Sequence, residues 1–174
     1  MIKGYVQVYT GDGKGKTTAA FGLALRAAGA GLKVFIAQFV KGGDNPYNEI
    51  NACLRFSDLI AVKQYGRGCF IGKEPHADDV RMAHEGLQDI RQAVISNIYD
   101  MVILDEANIA VHYGLITVEK LLEIIKVKRD GIELVITGRY AHPLIIEKAD
   151  LVTEMIEVKH YFSHGVMARD GIER

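Results

Sequence analysis

The sequence has no tryptophan, three prolines and two cysteines in 174 residues. Two cysteines, Cys53 and Cys69, cannot build a disulfide framework, and without a CxxC pair or a Cys/His cluster nothing points to zinc. There is no basic excess either: Lys plus Arg number 21 against 22 for Asp plus Glu, a formal net charge of −1. A protein that coats nucleic acid or an anionic membrane needs the opposite, so neither is an expected partner. No apolar run is long enough to span a bilayer, and the amino terminus, Met-Ile-Lys-Gly-Tyr, runs into a strand pattern rather than a signal peptide. A reduced cytoplasm is the expected setting. What is present is a globular composition, 49% apolar and 25% charged, with 18 glycines, many beside lysine. That pairing hints at backbone approaching phosphate. The length suits a single domain over residues 1–174.

Apolar runs and helical stretches alternate along the chain. Val6 to Tyr9 reads as a strand, Thr17 to Ala30 as an Ala- and Leu-rich helix ending at Gly29 and Gly31, and Lys33 to Val40 as a buried strand. Leu59 to Tyr65 is a third strand, followed by the Gly-rich loop from Gly66 to Gly72. His76 to Asn97 has the period of an amphipathic helix, with Val80, Ala83, Leu87, Ile90 and Val94 on one face. Met101 to Leu104 is a fourth strand, Thr117 to Arg129 a helix, and Ile132 to Thr137 and Leu151 to Val158 are two more strands. Strands that are apolar on both sides and alternate with helices define a three-layer α/β/α fold around a mostly parallel sheet. In such sheets ligands bind at the carboxyl ends of the strands, so a single site is expected there.

Two motifs carry chemistry. Between the first strand and first helix stands Thr10-Gly11-Asp12-Gly13-Lys14-Gly15-Lys16-Thr17-Thr18. Its glycines let backbone N–H groups turn inward around an anion, and the helix amino terminus adds its dipole. Lys16 is placed to reach phosphates and the Thr17 hydroxyl to bind the magnesium they carry. The loop departs from the usual GxxxxGK[ST] pattern: Thr10 stands where the first glycine belongs, and Gly11 to Gly15 is one residue short. The second motif is the apolar run Met101 to Leu104 delivering Asp105 and Glu106 to the sheet edge, where the magnesium partner is expected. Arg139, after the fifth strand, is placed to meet phosphate or solvent, and Lys41 to meet nucleotide or solvent. The six histidines lack metal-ligand spacing and read as structural or exposed. These residues leave open an ATPase or small-molecule kinase, with Glu106 activating water or a hydroxyl, and a nucleotide-dependent binding module.

Four stretches together resemble the P-loop type of ATP:corrinoid adenosyltransferase. They are Tyr9 to Gly22, Val102 to Glu106, Val135 to Arg139, and the tail from Val158-Lys159-His160 through Gly165-Val166 to Gly171-Ile172. The shortened loop with Thr10 is itself that family's form. The resemblance implies a RecA-like fold, magnesium, a homodimer and a reductase that supplies electrons. It implies transfer of the 5′-deoxyadenosyl group of ATP to the cobalt of a reduced corrinoid, with release of triphosphate. ATP is then seated by Gly11, Asp12, Gly13, Lys14, Gly15, Lys16, Thr17, Thr18 and Arg139, with its C5′ rather than its terminal phosphorus facing the nucleophile. Lys16, Thr17 and Glu106 are the expected catalytic residues, and Thr17, Asp105 and Glu106 the expected metal ligands. Aromatic side chains displace the corrinoid's lower ligand in this family; Phe70 lies in the matching loop, and Ile71 stands where relatives place an indole.

Overall fold

A computed structural model describes residues 3–43, 47–68 and 75–173. Among them, six strands form one sheet: β1 (Val6–Thr10), β2 (Val34–Phe39), β3 (Ile60–Tyr65), β4 (Met101–Asp105), β5 (Glu133–Thr137) and β6 (Leu151–Glu154). Their order is β3-β2-β4-β5-β1-β6 and every pairing is parallel. The connecting helices are α1 (Lys16–Gly29), α2 (Asn48–Cys53), α3 (Ala77–Ile95), α4 (Ala107–His112), α5 (Val118–Val127) and α6 (Pro143–Lys148). β5 lies between the strand that carries the glycine loop and the strand that carries Asp105, an order compatible with a RecA-like sheet.

Both faces of the sheet are covered over the central strands β2, β4 and β5, which are buried at every position. Alternation along β2 shows the division: Phe35, Ala37 and Phe39 join the core beneath α3 and α5, while Val34 and Ile36 join the core beneath α1. The expected face of α3 is the one buried, with Ala83, Leu87, Ile90 and Val94 in the core and Val80 packed at its edge. The α1 side is built differently. That helix meets the sheet through Ala20, Ala24, Ala27 and Ala28. Such small side chains let its backbone lie close to the strands, and the short loop from Thr10 to Lys16 starts its first turn at the carboxyl end of β1.

The structure departs from the sequence reading at the short elements. α2, α4 and α6 each span six residues, too short for a helical period to register in sequence. The sixth strand ends at Glu154 rather than Val158, and all four of its residues are exposed at the sheet edge. The chain beyond it leaves the sheet and crosses the glycine loop, where Gly13 N donates to Met155 O at 2.7 Å.

The start of α3 is tied to the segment after β3. Arg67 forks onto Asp79, with Nε to Oδ1 at 2.9 Å and Nη2 to Oδ2 at 2.7 Å, and this pairing holds the Asp79 carboxyl below its ordinary value of 3.8. A depressed carboxylate contributes stability above its unfolded pKa and loses it as pH falls through the folded one. Asp79→Asn should therefore cost about 1 kcal/mol at pH 7, modest because Arg67 is partly exposed. The gap to wild type should close below pH 3.8; thermal melts across pH 3 to 7 measure it.

Candidate active site

The glycine loop joins the end of β1 to the start of α1. Gly11 and Gly15 adopt φ of 90° and 121°, conformations that side chains resist, and Gly15 serves as the helix cap. Thr10 has a reason to replace glycine: it is buried, and its hydroxyl accepts from Ala141 N at 3.3 Å, joining this loop to the one after β5. Lys16 is buried and folds back, its Nζ donating to Gly11 O at 2.6 Å and Gly13 O at 2.7 Å. Burial lowers its pKa, opposed by the charge of Glu106. Asp12, Lys14 and Thr18 are exposed on the rim, and Lys14 Nζ reaches Ile172 O in the tail at 3.2 Å.

Asp105 is the centre of the polar network. Its side chain is fully buried and accepts from Thr17 Oγ1 (2.9 Å), Thr137 Oγ1 (2.8 Å), Gln38 Nε2 (3.0 Å) and Lys41 Nζ (2.8 Å). Lys41 Nζ also donates to Thr17 Oγ1 at 3.1 Å, so the ammonium stands between hydroxyl and carboxylate. Burial lowers the Lys41 pKa, but the charge and hydrogen bond of Asp105 outweigh it and the net shift is upward. Lys41 is thus a half-buried ion-pair partner of a buried carboxylate rather than a solvated loop lysine. Its predecessor Val40 sits at φ 66°, a strained position for a β-branched residue.

Glu106 follows at φ 60°, turning the chain sharply out of β4, and its backbone N–H donates to Thr137 Oγ1 at 3.0 Å. Burial first, and then the neighbouring Asp105, raises its carboxyl pKa. The loop after β5 is equally constrained: Asn108 Nδ2 donates to Gly138 O at 3.1 Å, and the Tyr140 ring lies 4.2 Å from His112. Arg139 projects from this loop into the cavity wall.

That cavity has a volume of about 760 Å³, within the range of small-molecule sites. Its polar lining includes Lys16, Thr17, Lys41, Glu106 and Arg139 around the Asp105 network and Asn48 and Glu49 on α2; its apolar lining is Phe21, Leu25, Ala52, Phe56 and Ile60. The tail closes a third side through Glu157, His160 and Ile172. The structure thus brings Asp12, Gly13, Lys14, Gly15, Lys16, Thr17, Thr18, Glu106 and Arg139 together around one cavity, with Gly11 and Asp105 directly behind them. Phe70 lies outside the described residues. Sequence reasoning missed Gln38, Thr137, the α2 wall and His160. Gln38 left a signal as a polar residue within the apolar run from Lys33 to Val40, and Thr137 and His160 stood inside two of the resembling stretches without being given a role.

The donor set between α1 and β4 suits a hard cation. Thr17 Oγ1 and the Asp105 carboxylate are oxygen ligands of the kind magnesium takes, and the ammonium between them shows that the position accommodates positive charge. Thr137 both donates to Asp105 and accepts from Glu106, so Thr137→Val leaves two buried groups short of a partner. We expect a loss of about 2 kcal/mol, read by chemical denaturation.

The chain matches the family described as ATP:corrinoid adenosyltransferase BtuR/CobO/CobP over residues 2–174. A corrinoid adenosyltransferase of Pseudomonas aeruginosa is 35% identical over 171 residues, covering 98% of this chain and 84% of the relative. One of Escherichia coli strain K12 is 36% identical over 171 residues, covering 98% and 86%. A third, corrinoid adenosyltransferase CobA of Salmonella typhimurium, is 34% identical with the same coverage. The chain belongs to the ATP:corrinoid adenosyltransferase family, a family of transferase enzymes.

Proposed function

We propose that this protein transfers the 5′-deoxyadenosyl group of ATP to the cobalt(I) of a reduced corrinoid, releasing triphosphate, in the synthesis or salvage of adenosylcobalamin. Family membership supports the reaction class. The observation that carries the reading to this chain is the single cavity in which the glycine loop and an apolar wall meet. Triphosphate suits its cationic and hydroxyl groups and a nucleoside its apolar side chains.

The residues then divide the work. The backbone N–H groups at the start of α1 and the Lys16 ammonium neutralise the triphosphate, and Lys16 exchanges its contacts with Gly11 O and Gly13 O for phosphate oxygens. Arg139, held by its constrained loop, adds positive charge beside Lys16 and Glu106. Thr17 and Asp105 hold magnesium, with Glu106 beside them; the ion supplies charge stabilisation to the leaving triphosphate. The cobalt(I) electron pair forms the bond to C5′, and the C5′–O bond breaks with its electrons leaving on triphosphate. Cobalt(I) carries no proton, so no general base is required. What the protein supplies is alignment and charge neutralisation.

Four further parts belong to the same proposal: a homodimer, an electron-donating reductase, a cytoplasmic setting, and a corrinoid contact from Phe70. Two experiments test the core of it. With ATP, magnesium and chemically reduced cobalamin, triphosphate should appear in step with adenosylated corrinoid, resolved by phosphorus NMR. Stoichiometric ADP with untouched corrinoid would identify a phosphotransfer enzyme instead. In the second, Lys16→Ala should weaken ATP binding roughly 10- to 100-fold by calorimetry and abolish turnover, because a charge-assisted hydrogen bond is lost.

A further inference from the structure

Lys41 stands in a position that the proposed reaction gives to something else. Its Nζ lies 2.8 Å from Asp105 Oδ2 and 3.1 Å from Thr17 Oγ1. Those are the two oxygen donors that the reading above assigns to magnesium. Two cations cannot share that position, because like charges at such a separation repel strongly in a buried site.

The backbone beneath Lys41 is fixed. Val40 is held at φ 66°, and the backbone of Gly42 packs so closely on Gly66 that a Cβ at Gly42 would lie 1.8 Å from Gly66 O. Any exchange of place is therefore a matter of side-chain rotation. The side chain has somewhere to go: Lys41 lines the cavity, with the Tyr47 ring centroid 5.3 Å from its ammonium. Rotation from Asp105 toward the cavity keeps its charge on the phosphate side.

We infer that Lys41 is a resident counter-cation, which neutralises Asp105 while the site is empty of nucleotide and blocks free divalent metal from Thr17 and Asp105. Arrival of the metal with the triphosphate displaces Lys41, whose charge then faces the phosphates. This inference rests on the assignment of Thr17 and Asp105 to the metal. Its consequence is an order of binding: metal alone binds poorly, metal with nucleotide binds well.

The test uses manganese as the probe, followed by electron paramagnetic resonance, on wild type, Lys41→Met and Asp105→Asn. Without nucleotide, Lys41→Met should bind manganese at least about tenfold more tightly than wild type, because the competing charge is gone. Its melting temperature in chelator should fall by on the order of 5 °C, and millimolar magnesium should restore it, with no such response in wild type. Lys41→Gln, which keeps a donor without the charge, should behave alike and serves should the methionine fail to fold. Equal nucleotide-free manganese affinity in wild type and both Lys41 variants overturns the inference while leaving the metal assignment intact. If Asp105→Asn binds manganese with ATP as tightly as wild type, the metal assignment falls, and the inference with it.

Discussion

A carboxylate with no access to water organises this site. Burying Asp105 without partners would cost several kcal/mol, and the protein meets that cost with four donors from four places: Thr17 on α1, Gln38 on β2, Lys41 after β2 and Thr137 on β5. Each bond fixes the end of an element relative to β4. The first turn of α1, which begins at Lys16, is thereby registered to the strand that carries Glu106. The glycine loop and the acidic pair are separate in sequence, and Asp105 is where they become one structure.

Around that centre, one cavity carries both kinds of lining: ammonium, guanidinium, hydroxyl and carboxylate groups from the strand ends and α1, and the apolar side chains Phe21, Leu25, Ala52, Phe56 and Ile60, with Asn48 and Glu49 of α2 among them. Such a lining can receive a ligand that joins a charged chain to a ring system. The tail adds the third wall without belonging to the sheet, anchored by Gly13 N to Met155 O, Lys14 to Ile172 O and Asn48 to Asp170. The glycines of the loop thus serve two neighbours, since a Cβ at Gly13 would lie 2.8 Å from Met155 O and from the Ile156 carbonyl carbon.

The long elements were legible because their patterns are long. Met101 to Leu104 is apolar at every position, as a strand buried on both faces must be, and α3 repeats its apolar face over 19 residues. The glycine loop and Asp105 were legible because phosphate chemistry demands those residue types after a strand. Lys41 and Arg139 were seen but not resolved: a lysine and an arginine in loops are compatible with solvent or with a site. For Lys41 the deciding partner, Asp105, lies 64 positions away. α2 carried no signal, since six residues give no period; His160 was seen only as part of the resembling tail, because a histidine gains a place in a site only from what that tail crosses.

The order of the sheet sets a timetable for synthesis. β1 leaves the ribosome before the other five strands, yet among the described residues it pairs with β5 and β6 alone; Tyr5 N bonds to Glu133, 128 positions later. While β2, β3 and β4 pair among themselves, the phosphate-binding loop hangs on a strand, VQVYT, with no neighbour on either side. Contacts of such separation are slow to form, and an unpaired strand is prone to aggregation. A nascent chain that stalls before Glu133 carries the complete glycine motif and none of the geometry that gives it a use.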